Sequence, residues 1–288
     1  MISDVSLVNV SIVFYVVAFA TSLYLLVSRS EKVPLFSQIL VGIGFALHTT
    51  AFAIRWIQSY RLGFGHVPVT NRYESLIFFG WCLALGWLVI SRWVKGPGMA
   101  AGMQFTAAAM TASAGLIKAD TEVSPLMPAL ESNWLLFHVV TCFLAYAAFA
   151  VATFVAIRML TLKNVPMDQQ SEKKPSDTTV SDTRTSEKHL ETLMYRCVSV
   201  GFFLLTLGIL SGSAWAQQAW GRYWGWDPKE VWSLITWLVY AIFLHARITR
   251  GWGGKRLAIL ALIGFFAVLF TFLGVNYLPL LEGLHSYA

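Results

Sequence analysis

Eight apolar runs, each about as long as a bilayer is thick, leave this chain little freedom of fold. They lie at about 6 to 28, 35 to 58, 74 to 94, 98 to 118, 134 to 160, 192 to 214, 231 to 250 and 256 to 276. A helix needs roughly 20 residues to cross a hydrocarbon core about 30 Å thick. With no water inside the bilayer to satisfy backbone N–H and C=O groups, unbroken apolar segments must be helical. The expected fold is an all-α integral membrane protein with about eight transmembrane helices. Composition agrees, since 57% of residues are hydrophobic and 12% charged, against about a quarter charged in soluble domains. The run at 98 to 118 is the weakest span. Its Gly, Ala and Thr would suit a tight helix interface, and if it did not cross, the orientation of everything before it would invert. The N-terminus, MISDVSLVNV, carries Asp4 and no basic stretch, so the first run reads as a retained span rather than a cleavable signal.

The formal charge of +6 is, in a membrane protein, first a topology signal, and no basic cluster calls for nucleic acid. With the N-terminus outside, 15 of the 21 Lys and Arg fall on the inner side. Arg55, Arg61, Arg72, Lys118, Arg222 and Lys229 are left outside. Between spans five and six lies a polar stretch rich in Ser, Thr, Asp, Lys and Pro, which lacks the apolar residues needed to offset ordering. The expected organisation is a five-helix half (1–162), a flexible cytoplasmic linker (163–190) and a three-helix half (191–288).

Residues 215–230, WAQQAWGRYWGWDPKE, break the apolar pattern. Trp215, Trp220, Trp224 and Trp226 are interleaved with glycines and have almost no aliphatic neighbours, so the segment forms an external aromatic shelf between two spans. An interfacial belt accounts for one or two such rings per helix end. Four with glycines make a surface for a large planar π-system, because glycine admits a flat ligand to the backbone and indole faces stack on it. Asp227, Pro228 and Glu230 form a helix start with a capping box, so Asp227 has a structural role whether or not it also meets a ligand. A second helix start stands near Asn71, with Glu74 three residues on.

Two histidines belong to the shelf side. His138 is one turn into span five, which starts outside, and His285 lies just beyond the last span. Singly they read as a packing residue and a solvated tail. Together with the shelf they have the composition of a bis-histidine heme site. His245, about 21 Å along its span at 1.5 Å per residue, sits near the cytoplasmic end, where an intramembrane ionisable residue is a functional candidate. The competing reading is a side chain that snorkels beside Arg247. His48 is the other histidine well inside a span, about 10 Å from His245 in depth. It is expected to be a hydrogen-bonded residue beside Thr49 and Thr50 rather than a second ligand. His66 is expected at the surface. Cys82, Cys142 and Cys197 sit singly in apolar spans with no C-x-x-C or C-x-x-C-H, so the chain is neither a thiol reductant nor a carrier of covalent heme. No nucleotide-binding glycine motif or carboxylate cluster is present.

WGxxWxWDxxE followed by VWSLITW resembles the tryptophan-rich "WWD" signature of the heme-handling proteins of cytochrome c biogenesis, a group that includes CcsA (ResC), CcmC and CcmF. PVTNRYES is similar to the corresponding outer loop of CcsA proteins. The resemblance implies heme b as cofactor, His138 and His285 as the two external ligands flanking the shelf, and His245 as a ligand within the membrane. It implies a CcsB (ResB) membrane subunit as partner, which would supply the further intramembrane ligand, together with apocytochrome c and a thiol-reducing system. The expected activity is heme delivery to the outer face and attachment to C-x-x-C-H motifs. The alternative is a CcmC-type exporter that hands heme to a separate ligase. Arg222, Arg55 or Arg72 could meet the heme propionates. The expected location is the bacterial cytoplasmic membrane, with the plastid thylakoid as the other possibility.

Overall fold

The computed structural model describes residues 3–29, 35–94, 96–116, 121–161, 178–275 and 283. Among them are eight long helices: α1 (Asp4–Val27), α2 (Leu35–Arg61), α3 (Arg72–Ile90), α4 (Pro97–Leu116), α5 (Asn133–Thr161), α6 (Thr178–Trp220), α7 (Pro228–Arg250) and α8 (Gly254–Leu269). A 3₁₀ turn, Pro128–Leu130, precedes α5, and α8 passes into a π turn, Phe270–Gly274. Seven helices are long and apolar enough to cross a membrane, which makes this a multi-pass helical membrane protein.

The exception is α4, whose 20 residues span about 30 Å but carry few bulky apolar side chains. It is nonetheless built into the bundle between α1 and α3. Thr111 and Met103 of α4 meet Gly80 and Gly86 of α3, while Phe105 and Gly98 meet Phe19 and Leu26 of α1. Both pairings are antiparallel and extend along most of the helix. The chain beyond α4 then returns to α2, where the carbonyls of Thr121 and Glu122 accept from Arg55 at 2.8 and 3.1 Å. All eight helices therefore alternate in direction. The start of α1, the end of α2 and the residues 221–227 between α6 and α7 lie at one end, called here the shelf end.

Small residues let the helices approach, as expected where lipid competes equally well for apolar side chains. A Cβ on Gly201 would strike Phe149, and one on Gly264 would strike Tyr240. These two rings stack at 3.6 Å and knit α5, α7 and α8 together. The exposed face of α1 is Val and Leu while its buried face carries Ser11, Tyr15 and Ser22, the inverse of a soluble helix. α5 is the most enclosed span and packs along α6 and α8, so both halves of the chain share one core. α6 begins at Thr178 and runs for 43 residues, about 65 Å, which projects its start well past the membrane-spanning part. Helix thus covers the second part of the polar stretch, and residues 162–177 lie outside the described ones.

At the shelf end, Arg55 is 1% exposed. Its Nε donates to Glu74 at 2.8 Å and its Nη1 to Asp4 at 3.0 Å, in addition to the two carbonyls. Glu74 also accepts from the Thr70 backbone and closes the Asn71 capping box of α3. This clamp joins α1, α2, α3 and the segment leading to α5. It consumes Arg55 and removes it as a partner for a ligand's carboxylates.

Candidate functional site

A cavity of about 220 Å³ opens at the shelf end, walled by α5, α6, the start of α7, the 69–75 stretch and the π turn. His138, Trp215, Trp224 and Tyr223 line it, along with Cys142, Tyr146, Phe143 and Phe272. His138 faces α6, where its Nδ1 lies 2.7 Å from the Gly208 carbonyl. A carbonyl can only accept, so Nδ1 carries the proton, which in the neutral ring leaves Nε2 as the lone-pair nitrogen. That tautomer, fixed by a hydrogen bond from the other ring nitrogen, is what an iron-ligating imidazole requires. The ring lies nearly parallel to Trp215, at 6.3 Å and 16°.

The shelf is built from the inside outward. Trp215 is 2% exposed and donates from Nε1 to Ala129 O at 2.8 Å. Trp220 packs edge-on against it at 4.7 Å. Trp224 reaches the cavity wall, and Trp226, 69% exposed, leans edge-on against Trp224 at 5.9 Å. Trp226 takes a left-handed backbone (φ 58°), an uncommon conformation outside glycine, held by its neighbours. Glu230 Oε2 accepts from the N–H groups of Gly225 and Asp227, and the Asp227 carboxylate accepts from Lys229 N. Ser213 of α6 donates to Tyr223 O at 2.9 Å. The capping box therefore does more than start α7, because it freezes the loop that carries the aromatic rings.

His285 lies outside the described residues, but Gly283 lies within them. A Cβ on Gly283 would overlap the Asp227 carboxylate and sit 3.0 Å from Pro228 Cδ. The C-terminal segment thus touches the shelf two residues before His285.

His245 lies elsewhere. It is exposed on α7, in an apolar stripe with Leu238, Ile242 and Ile248, and its Nδ1 is 3.4 Å from Thr249 Oγ1. It stands about 26 Å from the start of α7, toward the end opposite the shelf. His48 is fully buried against Tyr15, with Nδ1 3.4 Å from the hydroxyl, and stacks on Phe52. This is the buried, hydrogen-bonded fate expected of it, while the neighbouring Thr49 and Thr50 return their hydroxyls to the carbonyls of Phe45 and Ala46. His66 is not at the surface: it is 8% exposed, and its Nε2 holds Ser124 O at 3.1 Å. Several cavity residues were not singled out from sequence. Val69, Thr70 and Ser75 belong to the stretch similar to the CcsA loop, while Thr271 and Phe272 are turned inward by a π turn that no sequence signal announces. Lys229 was hidden inside the helix-start motif.

The fold and site define a class: a multi-pass helical membrane protein with an aromatic-walled, imidazole-bearing cavity at one end of the bundle. A family model described as "Cytochrome C assembly protein" matches residues 69–285, and the chain belongs to that family. It is 38% identical over 274 residues to "Cytochrome c biogenesis protein CcsA" of Prochlorococcus marinus (strain MIT 9313), covering 86% of this chain and 83% of that one. It is 39% identical over 266 residues to the protein of the same name in Chlamydomonas reinhardtii, covering 90% and 69%. The solved structure of "Cytochrome c Heme Lyase CcmF" shares the fold with a TM-score of 0.69 at 20% identity. That match covers 94% of this chain and 46% of the longer protein.

Proposed function

We propose that the chain is the heme-binding subunit of a cytochrome c synthase, which delivers heme b to the outer face of the bacterial cytoplasmic membrane and attaches it to apocytochrome c. The observation that carries this reading is His138, its tautomer set by Gly208 O and its ring against Trp215 in a cavity of aromatic residues. His138 and His285 are the axial ligands of the heme substrate there, and Asp227 helps bring His285 to the shelf through the contact at Gly283. Trp215, Trp220, Trp224 and Trp226 hold the macrocycle. The histidine of an incoming C-x-x-C-H motif displaces one protein ligand. Each cysteine S–H then adds across a vinyl C=C: sulfur bonds to the inner vinyl carbon, the hydrogen goes to the terminal one, and no net redox change occurs. The protein contributes proximity and orientation.

His245 is the ligand for heme on its way outward. Its place on an exposed apolar stripe supports a neighbouring membrane chain, of CcsB (ResB) type, as the source of the second intramembrane ligand. A separate thiol-reducing system keeps the apocytochrome cysteines reduced. Residues 163–190 link the five-helix and three-helix halves on the cytoplasmic side. The relatives named above are CcsA proteins, which favours synthase over a CcmC-type exporter.

The test is the reduced absorption spectrum of the protein purified with its partner, in wild type, His138→Ala and His285→Ala, with and without imidazole. Both variants are expected to lose the low-spin heme signal and to regain it with imidazole. An unchanged spectrum in both would sink the outer site.

A further inference from the structure

On the heme reading of this cavity, the polar edge of the porphyrin also needs a partner, and Arg55 is already held by Glu74, Asp4 and two carbonyls. We propose that Lys229, with Arg72 beside it, is the carboxylate-binding group of the cavity and holds a heme propionate, thereby choosing which porphyrin edge faces the shelf. Among the described residues lining the cavity, Lys229 is the only Lys or Arg. The acid there, Glu230, has its Oε2 turned to the loop N–H groups of Gly225 and Asp227.

The placement of both cations runs against local preference. Lys229 is the second residue of α7 and Arg72 the first of α3, and a cation in a helix's first turn opposes the macrodipole. Their charges also repel each other. Asp227 offsets part of this, although its carboxylate is engaged by Lys229 N and lies against Gly283. Lys229 in the cavity wall, with Arg72 close enough to act on its charge, lowers the free energy of an entering carboxylate. Heme carries two carboxylates on one edge, so charge there would set the orientation of the vinyl groups on the opposite edge.

The test compares iron protoporphyrin IX with its dimethyl ester, titrated into the full chain in lipid nanodiscs. Wild type should bind the free acid about tenfold or more tightly than the diester, as expected for a charge-assisted bond. Lys229→Gln should bring that ratio close to one while the bound fraction keeps the low-spin reduced spectrum, and Lys229→Arg should restore it. A merely structural lysine would weaken both porphyrins alike. If Lys229→Gln keeps the wild-type ratio, the proposal is overturned while the heme site stands. If wild type binds neither porphyrin, the heme reading fails, and this proposal with it. Should Lys229→Gln not purify as a single species, wild type decides alone: equal affinity for acid and diester overturns the assignment.

Discussion

His138 owes its setting to two glycines one turn apart on the neighbouring helix. Gly208 supplies the carbonyl that fixes the ring, and Gly212 leaves room for it, since a Cβ there would lie 2.5 Å from Nδ1. Gly212→Ala is therefore expected to push the imidazole off its hydrogen bond and weaken heme binding by about tenfold, at an overpacking cost of about 1–3 kcal/mol. Heme titration together with detergent melting would separate the two effects; unchanged affinity would mean that the ring is not held as described. His138 itself was legible in the sequence, because a histidine one turn inside an outward-starting span is conspicuous among Leu, Phe and Val. The tautomer and the role of Gly212 were not, because both depend on α6, some 70 residues further along the chain.

Among the elements, both capping boxes were readable from spacing alone, and both form: Asn71 with Glu74, and Asp227 with Glu230. Such motifs are local, set by residues within one turn of each other. The clamp around Arg55 joins Asp4, Glu74, Thr121 and Glu122 across three elements and could not be read this way. Arg55→Ala should destabilise the bundle by about 3–5 kcal/mol, because it leaves two buried carboxylates without their cation. Thermal unfolding in detergent would show this. Arg55→Lys should rescue little, since an ammonium lacks the planar fork that reaches several acceptors at once. Asp227→Ala should cost about 1 kcal/mol through the lost cap. It should also lower heme retention more than the equivalent cap loss Asn71→Ala, if the contact with Gly283 matters to His285.

For the whole molecule, the proposed orientation rests on the placement of the basic residues and on the alternation of eight helices. A membrane-impermeant maleimide added outside intact cells should label Tyr223→Cys, on the exposed shelf, and spare His189→Cys, at the far end of α6, in a chain whose native cysteines are replaced by Ala. The reverse pattern would invert the proposed topology. The sequence by itself determined the class, the number of long helices, their caps and the aromatic shelf, because span length, capping and composition are properties of contiguous residues. Only the tertiary structure decided that α4 packs antiparallel to α1 and α3, that Arg55 is spent in a clamp, and that Lys229 enters the cavity wall while His245 faces outward. Those outcomes depend on which faces of distant helices meet, and glycine-for-ring complementarity between helices sets that through contacts no local pattern encodes.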